Sequence, residues 1–567
     1  MRTVRLIALV LVLSFSVVSC KTAPPLEGSG SAWTAKKYIV RAGTILTGDG
    51  EKLSDRGIVV SDGRIVSMDS WTETRRANPE LPVLDASGAT VMPGLTDAHG
   101  HIEGLGQSLV TVSLVDTKSY EEVIDRIAAR AARAEPGEWI LGRGWDQNRW
   151  PDRSFPTADA LDRRVPNNPV WVARIDGHAG LANSTAMRAA RITAATPDPE
   201  GGRILRDGAG NPTGVFIDAA EGLINRVVPP ASREERKRRI AAAAANIAAH
   251  GITEVHDAGV DDTTVILLRE LTDEGRLPIR VYAMLGDDPA LLERWFAAGP
   301  LIGYGDRVTV RAVKLYADGA LGSRGAALLE PYSDEPDNSG LLLSSADHIR
   351  DVARRGRQAG FQVNTHAIGD RGVRNVIDAY QAAGVQPADR FRIEHLQVMA
   401  LEDLPRLTSL GIIASMQPTH ATSDMPWAER RVGPDRIRGA YAWRTILDAG
   451  GMIAFGSDFP VEQVNPWHGI HSAVTRQDFS GHPPGGWYPG QRLSITEAIQ
   501  GFSSGAAFAA FEEDRRGTIA PGKDADLTIT AGDPTLSDPQ ELFETEVLYT
   551  IVGGKIAYPQ DRMIQDD

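Results

Sequence analysis

The middle of the chain alternates short apolar runs with segments of helical pattern, and this alternation restricts the fold more than any other feature. It is typical of parallel strands joined by helices. Eight runs fit buried strands, at residues 90–99, 252–257, 279–284, 309–316, 361–366, 391–395, 411–416 and 452–457. Helical patterns lie between them, for example from Arg233 to His250 and from Arg371 to Ala383. Eight such units form a (β/α)8 barrel, whose chemistry lies at the carboxyl ends of the strands.

Potential metal ligands stand where several of these runs end. The first lies in PGLTDAHGH, where His99 and His101 are two residues apart. Residues i and i+2 of an extended segment project to the same side, so both imidazoles can bind one ion. Neutral imidazole is a good ligand for zinc. Polar residues end four later runs, at Lys314, His366, Glu394-His395 and Asp458. The sequence therefore predicts a metal site at this end of the barrel.

The first twenty residues have the pattern of an export signal. A basic segment, Met1 to Arg5, precedes the apolar run from Leu6 to Val18, which is too short to span a bilayer comfortably. The run closes with VVSC, which resembles a bacterial lipoprotein box with Cys20 as the lipidated residue. We expect a lipoprotein signal peptide over 1–20 and a flexible linker over 21–36. The protein would then be exported and lipid-anchored in the cell envelope, at the periplasmic face or the cell surface. An ordinary signal peptide with an incidental cysteine is the alternative.

Composition excludes several other classes of protein. Cys20 is the only cysteine, so neither an intramolecular disulfide nor a multi-cysteine zinc site can form. The formal net charge of -14 disfavours nucleic acid as a partner. With 567 residues and 42% hydrophobic content, the chain is long enough for one large domain with additions.

Two additions to the barrel at 91–514 are predicted. Residues 37–90 and 515–560 both contain short β segments, which can pack into one β-sandwich if the barrel brings the chain ends together. The second addition is an insertion at about 102–250, because roughly 150 residues precede the second barrel strand, more than one crossover needs.

The insertion contains four tryptophans and a histidine in a glycine-rich turn, namely Trp139, Trp145, Trp150, Trp171 and His178. One interpretation is a lid, with Trp145 and His178 in the substrate pocket. The alternative for the tryptophans is the core of a satellite domain, since large aromatic side chains are usually buried for packing.

The chain resembles the amidohydrolase superfamily, in the branch that includes N-substituted formamide deformylases. The resemblance extends from about Lys37 to about Tyr558. It rests on ordered motifs: PGLTDAHGH, GWDQNRWP, DGHAGLANS, VKLYADGALGSRGA, HAIGDRG, RIEHLQ, SMQPTH, GSDFPV and PGKDADL. It implies a TIM barrel beside a composite β domain, and a metal-dependent hydrolase for a small amide-type substrate.

The resemblance also implies a set of metal ligands, namely His99, His101, Lys314, His366, His395 and Asp458. The cofactor would be a divalent metal, expected to be Zn2+, as one ion or two. A lysine can bridge two ions only as a carbamate, so the resemblance implies a carbamylated Lys314. The alternative is a Lys314 salt bridge to Asp318 beside one metal. His256 is expected to have a supporting or packing role.

The implied reaction is hydrolysis of a C–N bond in an amide, formamide or cyclic amide by a metal-activated hydroxide. Asp458 would carry the proton from the attacking water to the leaving nitrogen. His395 or His178 would help to hold the oxyanion. A deaminase, lactonase or esterase on the same site stays open, as does a binding lipoprotein without catalysis. The complete ligand set favours an enzyme. The oligomeric state also stays open, with a homo-oligomer among the alternatives.

Three further polar residues are candidates for substrate binding. Gln417 and His420 follow strand seven, although barrel-rim loops also carry polar residues merely for solvent. Arg324 could pair with a carboxylate of the substrate or with an acid of the protein.

Overall fold

A computed structural model describes residues 36–147, 150–174, 179–199, 202–322 and 324–559. The expected signal peptide with Cys20, nearly all of the linker, and His178 lie outside these residues. Within the described ranges, no helix combines the length and apolar character needed to cross a membrane.

The described residues form strands and helices that we number in chain order. The strands are β1 Lys37–Leu46, β2 Lys52–Ser61, β3 Arg64–Ser70, β4 Val83–Pro93, β5 Leu95–Gly100, β6 Val112–Ser113, β7 Ile140–Trp145, β8 Val170–Arg174, β9 Ala179–Ala182, β10 Gly202–Arg206, β11 Pro212–Asp218, β12 Ile252–Val260, β13 Arg280–Leu285, β14 Leu301–Tyr304, β15 Val308–Tyr316, β16 Gln362–Ala367, β17 Arg392–His395, β18 Ile413–Met416, β19 Ile453–Phe455, β20 Leu527–Ala531, β21 Val547–Val552 and β22 Lys555–Tyr558. The helices are α1 Trp71–Ala77, α2 Ile102–Val110, α3 Tyr120–Ala131, α4 Ala158–Arg164, α5 Ser184–Ala189, α6 Gly222–Asn225, α7 Arg233–Ala249, α8 Asp262–Asp273, α9 Pro289–Ala298, α10 Ala346–Gln358, α11 Asp370–Ala382, α12 Leu404–Ser409, α13 Pro418–Asp424, α14 Ala428–Arg436, α15 Trp443–Asp448, α16 Pro466–Thr475, α17 Ile495–Gly501 and α18 Ser504–Ala509.

Eight parallel strands form the barrel, in the order β5, β12, β13, β15, β16, β17, β18 and β19. Hydrogen bonds beyond the end of β19 bring it back to β5. The Asp458 N–H donates to the His99 carbonyl oxygen at 2.7 Å, and the Ser457 N–H donates to Asp97 at 3.1 Å. The predicted (β/α)8 fold is confirmed.

The first predicted strand, 90–99, is two strands in the structure. Its first part belongs to β4 of another sheet, and its second part is β5 of the barrel. The chain changes sheets at Gly94, whose N–H donates to the Asp526 carbonyl oxygen at 2.8 Å. A Cβ atom at Gly94 would lie 2.3 Å from Thr253 Oγ1, so only glycine fits this close crossing.

The two chain ends share a seven-stranded sheet, in the order β22-β21-β20-β4-β1-β2-β3. Where we expected a β-sandwich, strands from both ends of the chain are hydrogen-bonded into this one sheet. Side chains from both chain ends form one apolar cluster, which includes Val40, Val91, Leu527 and Ile551. Arg280 of the barrel joins the sheet through the buried Asp526, at 2.7 and 3.0 Å. This sheet covers the end of the barrel at which its strands begin.

Between β5 and β12, the described residues of the insertion form a six-stranded sheet, in the order β10-β11-β9-β8-β7-β6, with helices of its own. We predicted that Trp145 lines the substrate pocket, and the structure places it elsewhere. Its side chain is fully buried in the insertion's apolar core, and its indole N–H donates to the Val172 carbonyl oxygen at 2.9 Å. A side chain so enclosed packs the insertion, as the alternative interpretation held.

Candidate metal centre

The structure brings the six ligands implied by the resemblance to the carboxyl end of the barrel. His99 lies in β5, Lys314 in β15, His366 in β16 and His395 at the end of β17, while His101 and Asp458 follow β5 and β19. The ring centroids of His99 and His366 lie 4.7 and 4.6 Å from that of His395. Five strands therefore supply one cluster.

Asp458 holds a central position in this cluster. Its Oδ1 lies 3.1 Å from His101 Nε2 and 3.7 Å from His99 Nε2. Among the described residues, two groups of three have ligand atoms within 4.8 Å of one another: His99, His101 and Asp458, and His395, His420 and Asp458. Both groups use the Asp458 carboxylate.

The backbone at the end of β17 directs two consecutive side chains into the site. In a regular strand, neighbouring side chains point to opposite faces. His395 has φ +74° and Leu396 has φ +43°, so the chain turns there and both Glu394 and His395 reach the cluster. Such conformations cost about 1–3 kcal/mol each in non-glycine residues and are commonest at functional sites.

Three of the imidazoles, those of His99, His101 and His395, have Nδ1 bound to an oxygen of the protein, whereas His366 faces the Gly319 carbonyl oxygen with Nε2, at 3.5 Å. The Nδ1–H group of His99 donates to Glu394 Oε2 at 2.5 Å, and that of His101 donates to the Ala258 carbonyl oxygen at 2.9 Å. The Nδ1–H group of His395 donates to Gln417 Oε1 at 2.8 Å. This fixes the tautomer of these three rings, because the proton on Nδ1 leaves Nε2 to bind a cation.

Burial keeps most of these rings neutral. It lowers the pKa of His99 and of His395 well below the usual value, and that of His366 to about 4, with the Lys314 charge acting in the same direction. Burial alone would also lower the pKa of His101, but the hydrogen bond to Asp458 and the charge of that carboxylate raise it. The negative charge of the Asp458 carboxylate therefore favours a positively charged group, or a bound cation, beside His101.

Lys314 is fully buried, and its Nζ lies 3.0 Å from His99 Nε2. Burial lowers the pKa of its amine, while the Glu394 and Asp458 charges act in the opposite direction. Asp318, the alternative partner, instead accepts the backbone N–H groups of Ala327, Ile368 and Gly369 at 2.8–2.9 Å. Lys314 thus faces the metal ligands, and Asp318 orders the backbone beside them.

The other predicted residues have varied positions. Gln417 orients His395 through a hydrogen bond. The buried His420 lies beside His395, and the centroids of these two imidazole rings are 6.0 Å apart. We proposed Arg324 as a partner of a substrate carboxylate. Its guanidinium instead pairs with Asp334 through two contacts of 3.1 Å and with Glu335, so carboxylates of the protein already satisfy it. His256 is buried and accepts a hydrogen bond from Arg392 at 2.9 Å, in a packing position.

No role was assigned from the sequence to two carboxylates of the site, although Glu394 was noted at the end of its strand. Glu394 orients His99, and Asp97 accepts hydrogen bonds from the His99 N–H and the Ser457 hydroxyl. Burial raises the pKa of both acids, to about 7 for Asp97. The available signal was an acid inside an apolar strand, one or two residues before a ligand, since acids are rarely buried unless paired.

Comparisons with known proteins place the chain in a family. Residues 82–558 match the family model described as the amidohydrolase family. The chain belongs to the amidohydrolase family. YtcJ of Bacillus subtilis (strain 168), which is named as an amidohydrolase, is 33% identical over 535 residues, which cover 92% of this chain and 99% of YtcJ.

Two further matches have similar extent. The N-substituted formamide deformylase of Arthrobacter pascens is 30% identical over 536 residues, which cover 91% of this chain and 97% of that protein. The solved structure of an uncharacterised metal-dependent hydrolase from Pyrococcus furiosus has a TM-score of 0.74 at 30% identity, covering 88% of this chain and 100% of that one. This amidohydrolase is therefore a hydrolase of the family that acts on C–N bonds, and a divalent metal suits it.

The residues present in this amidohydrolase fit such a metal. The donor set consists of the imidazoles of His99, His101, His366 and His395 together with the Asp458 carboxylate, and nitrogen and oxygen donors suit zinc and similar ions. Glu394 Oε1, buried beside His99, has no hydrogen-bond partner among the described residues. A cation on His99 would compensate the negative charge of this acid.

We expect Glu394→Gln to weaken metal binding by about 10- to 100-fold, because loss of a carboxylate that orients a ligand histidine has effects of this size. The measurement is competition for the metal with a chromophoric chelator. Glu402→Gln is the control, since Glu402 is exposed and pairs with Arg374 beyond the same strand. Equal metal affinity of Glu394→Gln and wild type would contradict an orienting role.

Proposed function

We propose that this amidohydrolase cleaves the C–N bond of a small amide, formamide or cyclic amide with the help of a divalent ion. The observation that carries the proposal is the position of Asp458, within 3.1 and 3.7 Å of the Nε2 atoms of two ligand histidines. A carboxylate so placed can reach a water molecule in the cluster, as a proton acceptor must.

Asp458 is suited to take up and release a proton. Burial alone would raise the pKa of Asp458, but the hydrogen bond from His101 and the charges of nearby histidines outweigh it and lower the pKa to about 2. The side chain is thus a carboxylate at neutral pH, able to accept a proton from the attacking water and pass it to the leaving nitrogen. The ion, when bound, supplies Lewis acidity that favours ionisation of water near pH 7.

The ligand set supports Zn2+, as one ion or two. His99, His101 and Asp458 would hold one ion. A second ion would require Lys314 as a carbamate together with His366 and His395. The buried amine supports this modification, because burial lowers the pKa of Lys314 and so increases the neutral fraction that can react with CO2.

N-substituted formamides are the first substrates to test, because a relative named for that activity aligns along nearly the whole chain. The experiment combines metal analysis of the purified protein with a panel of N-formyl, N-acyl and cyclic amides, plus lactones, esters and aminopurines. We expect release of the amine, abolished by a chelator and restored by Zn2+. If the metal-replete protein hydrolyses no amide, the proposal is wrong, and hydrolysis of lactones or esters alone would reassign the substrate class.

We also propose that Cys20 anchors the protein in the cell envelope through a lipid, as the VVSC sequence suggests. Cys20→Ser is expected to move the protein from the membrane fraction to the soluble fraction, because the mutant lacks the thiol that accepts the lipid. Fractionation followed by immunoblotting measures this. Unchanged membrane association, or N-terminal sequencing that finds cleavage elsewhere, would reject the anchor.

A further inference from the structure

His420 differs from the neighbouring histidines in the contacts of its ring. It lies in α13 with 7% of its surface exposed. Its Nε2 lies 3.7 Å from Asp458 Oδ2, beyond hydrogen-bond distance, and has no hydrogen-bond partner among the described residues. A buried polar atom without a partner is costly in the free protein, so it calls for a functional explanation.

The partner of Nδ1 decides what Nε2 can do. In His99, His101 and His395, Nδ1 faces an oxygen atom and therefore carries the proton. In His420, Nδ1 faces the amide nitrogen of Gln397 at 3.1 Å. An amide nitrogen can only donate, so Nδ1 must accept and the neutral ring carries its proton on Nε2.

From its position, His420 could be either a metal ligand or a hydrogen-bond donor, and its tautomer distinguishes these two roles. Its ring nitrogen lies close enough to His395 and Asp458 to suggest a metal ligand. A ligand must offer a lone pair, however, and the proton on Nε2 occupies it. The Nε2–H group of His420 is instead a hydrogen-bond donor that faces the Asp458 carboxylate, the proposed proton carrier.

We propose that the Nε2–H group of His420, held in this tautomer by Gln397, donates a hydrogen bond to the substrate's carbonyl oxygen as negative charge develops there. The inference rests on the proposed function. A water oxygen bonds to the carbonyl carbon, the π electron pair moves to the carbonyl oxygen, and Asp458 accepts the proton. The C=O bond then re-forms, the C–N bond breaks, and the leaving nitrogen takes the proton.

This assignment makes His420 a catalytic residue and Gln397 a positioning residue. A donor oriented in advance, inside a buried site, is effective because it needs no rearrangement when the charge appears.

The test compares His420→Phe with His420→Gln on the best amide of the substrate panel. Phenylalanine keeps a ring but removes the N–H group, so kcat should fall by about 10²- to 10³-fold, the usual effect of losing one such donor. Glutamine offers an N–H group and should restore part of the rate. Gln397→Met, which removes the contact that fixes the tautomer, should give a smaller loss. Ser423→Ala, one turn further along α13, is the matched control.

Metal content distinguishes a donor from a ligand. A donor can be removed without loss of metal, so the His420→Phe protein should contain as much metal as wild type and melt at a similar temperature. Loss of metal in both His420 variants would identify a ligand and overturn the inference. Wild-type kcat in His420→Phe would also overturn it while leaving the proposed function intact, whereas absence of amide hydrolysis by the wild type would overturn both.

Discussion

Replacing Asp458 with asparagine is expected to lower kcat by about 10²- to 10⁴-fold, the usual contribution of a positioned acid–base group. Asparagine has nearly the same shape, and its side-chain oxygen can still face His99 and His101. It cannot accept a proton from water, however. Steady-state kinetics, with metal analysis and thermal melting of the same preparation, measure the change.

A matched control lies four residues along the chain. Glu462→Gln makes the same change from carboxylate to amide in a side chain that accepts a hydrogen bond from Ser423 at 2.7 Å. Its kcat should stay near that of wild type. Turnover by Asp458→Asn at the wild-type rate, with metal retained, would exclude the proton-transfer role. Complete loss of metal would instead show that Asp458 mainly binds the ion.

For the proposed site with two ions and a carbamylated Lys314, Lys314→Ala is expected to remove most activity and to lower the metal content from about two ions toward one. A carbamate supplies two oxygens that can bridge ions about 3.5–4 Å apart, and alanine supplies none. Added acetate or propionate should restore part of the activity and metal content, since a short carboxylate can occupy the space that the lysine leaves. Metal analysis and kinetics with and without the carboxylate measure both effects.

Two outcomes would exclude the carbamate. The first is full activity in Lys314→Ala. The second is the absence of a carbamate carbon signal in 13C NMR of the metal-replete protein after equilibration with 13C-bicarbonate. Either result would leave a mononuclear site, with Lys314 as a buried amine hydrogen-bonded to His99.

The local sequence was sufficient to predict the barrel and the position of its chemistry. Apolar runs bounded by turn residues and separated by helical patterns specify parallel strands. Polar residues that end successive strands must then meet at one end of the barrel. His99, His366 and His395 could therefore be placed together although they are far apart in the chain, because the repeated strand–helix unit gives each strand end the same location.

The tertiary structure alone decided the contacts that give these residues their chemistry. Glu394 and His99 are 295 residues apart in the chain, and their side chains meet only in the folded barrel. Gln397 sets the tautomer of His420 through a contact that no spacing rule predicts. Trp145 fills a separate core, and Arg324 pairs with a carboxylate of the protein. Periodicity fixes which face of a strand is buried, whereas the partner of a buried polar group depends on which side chains the folded chain brings within hydrogen-bond distance.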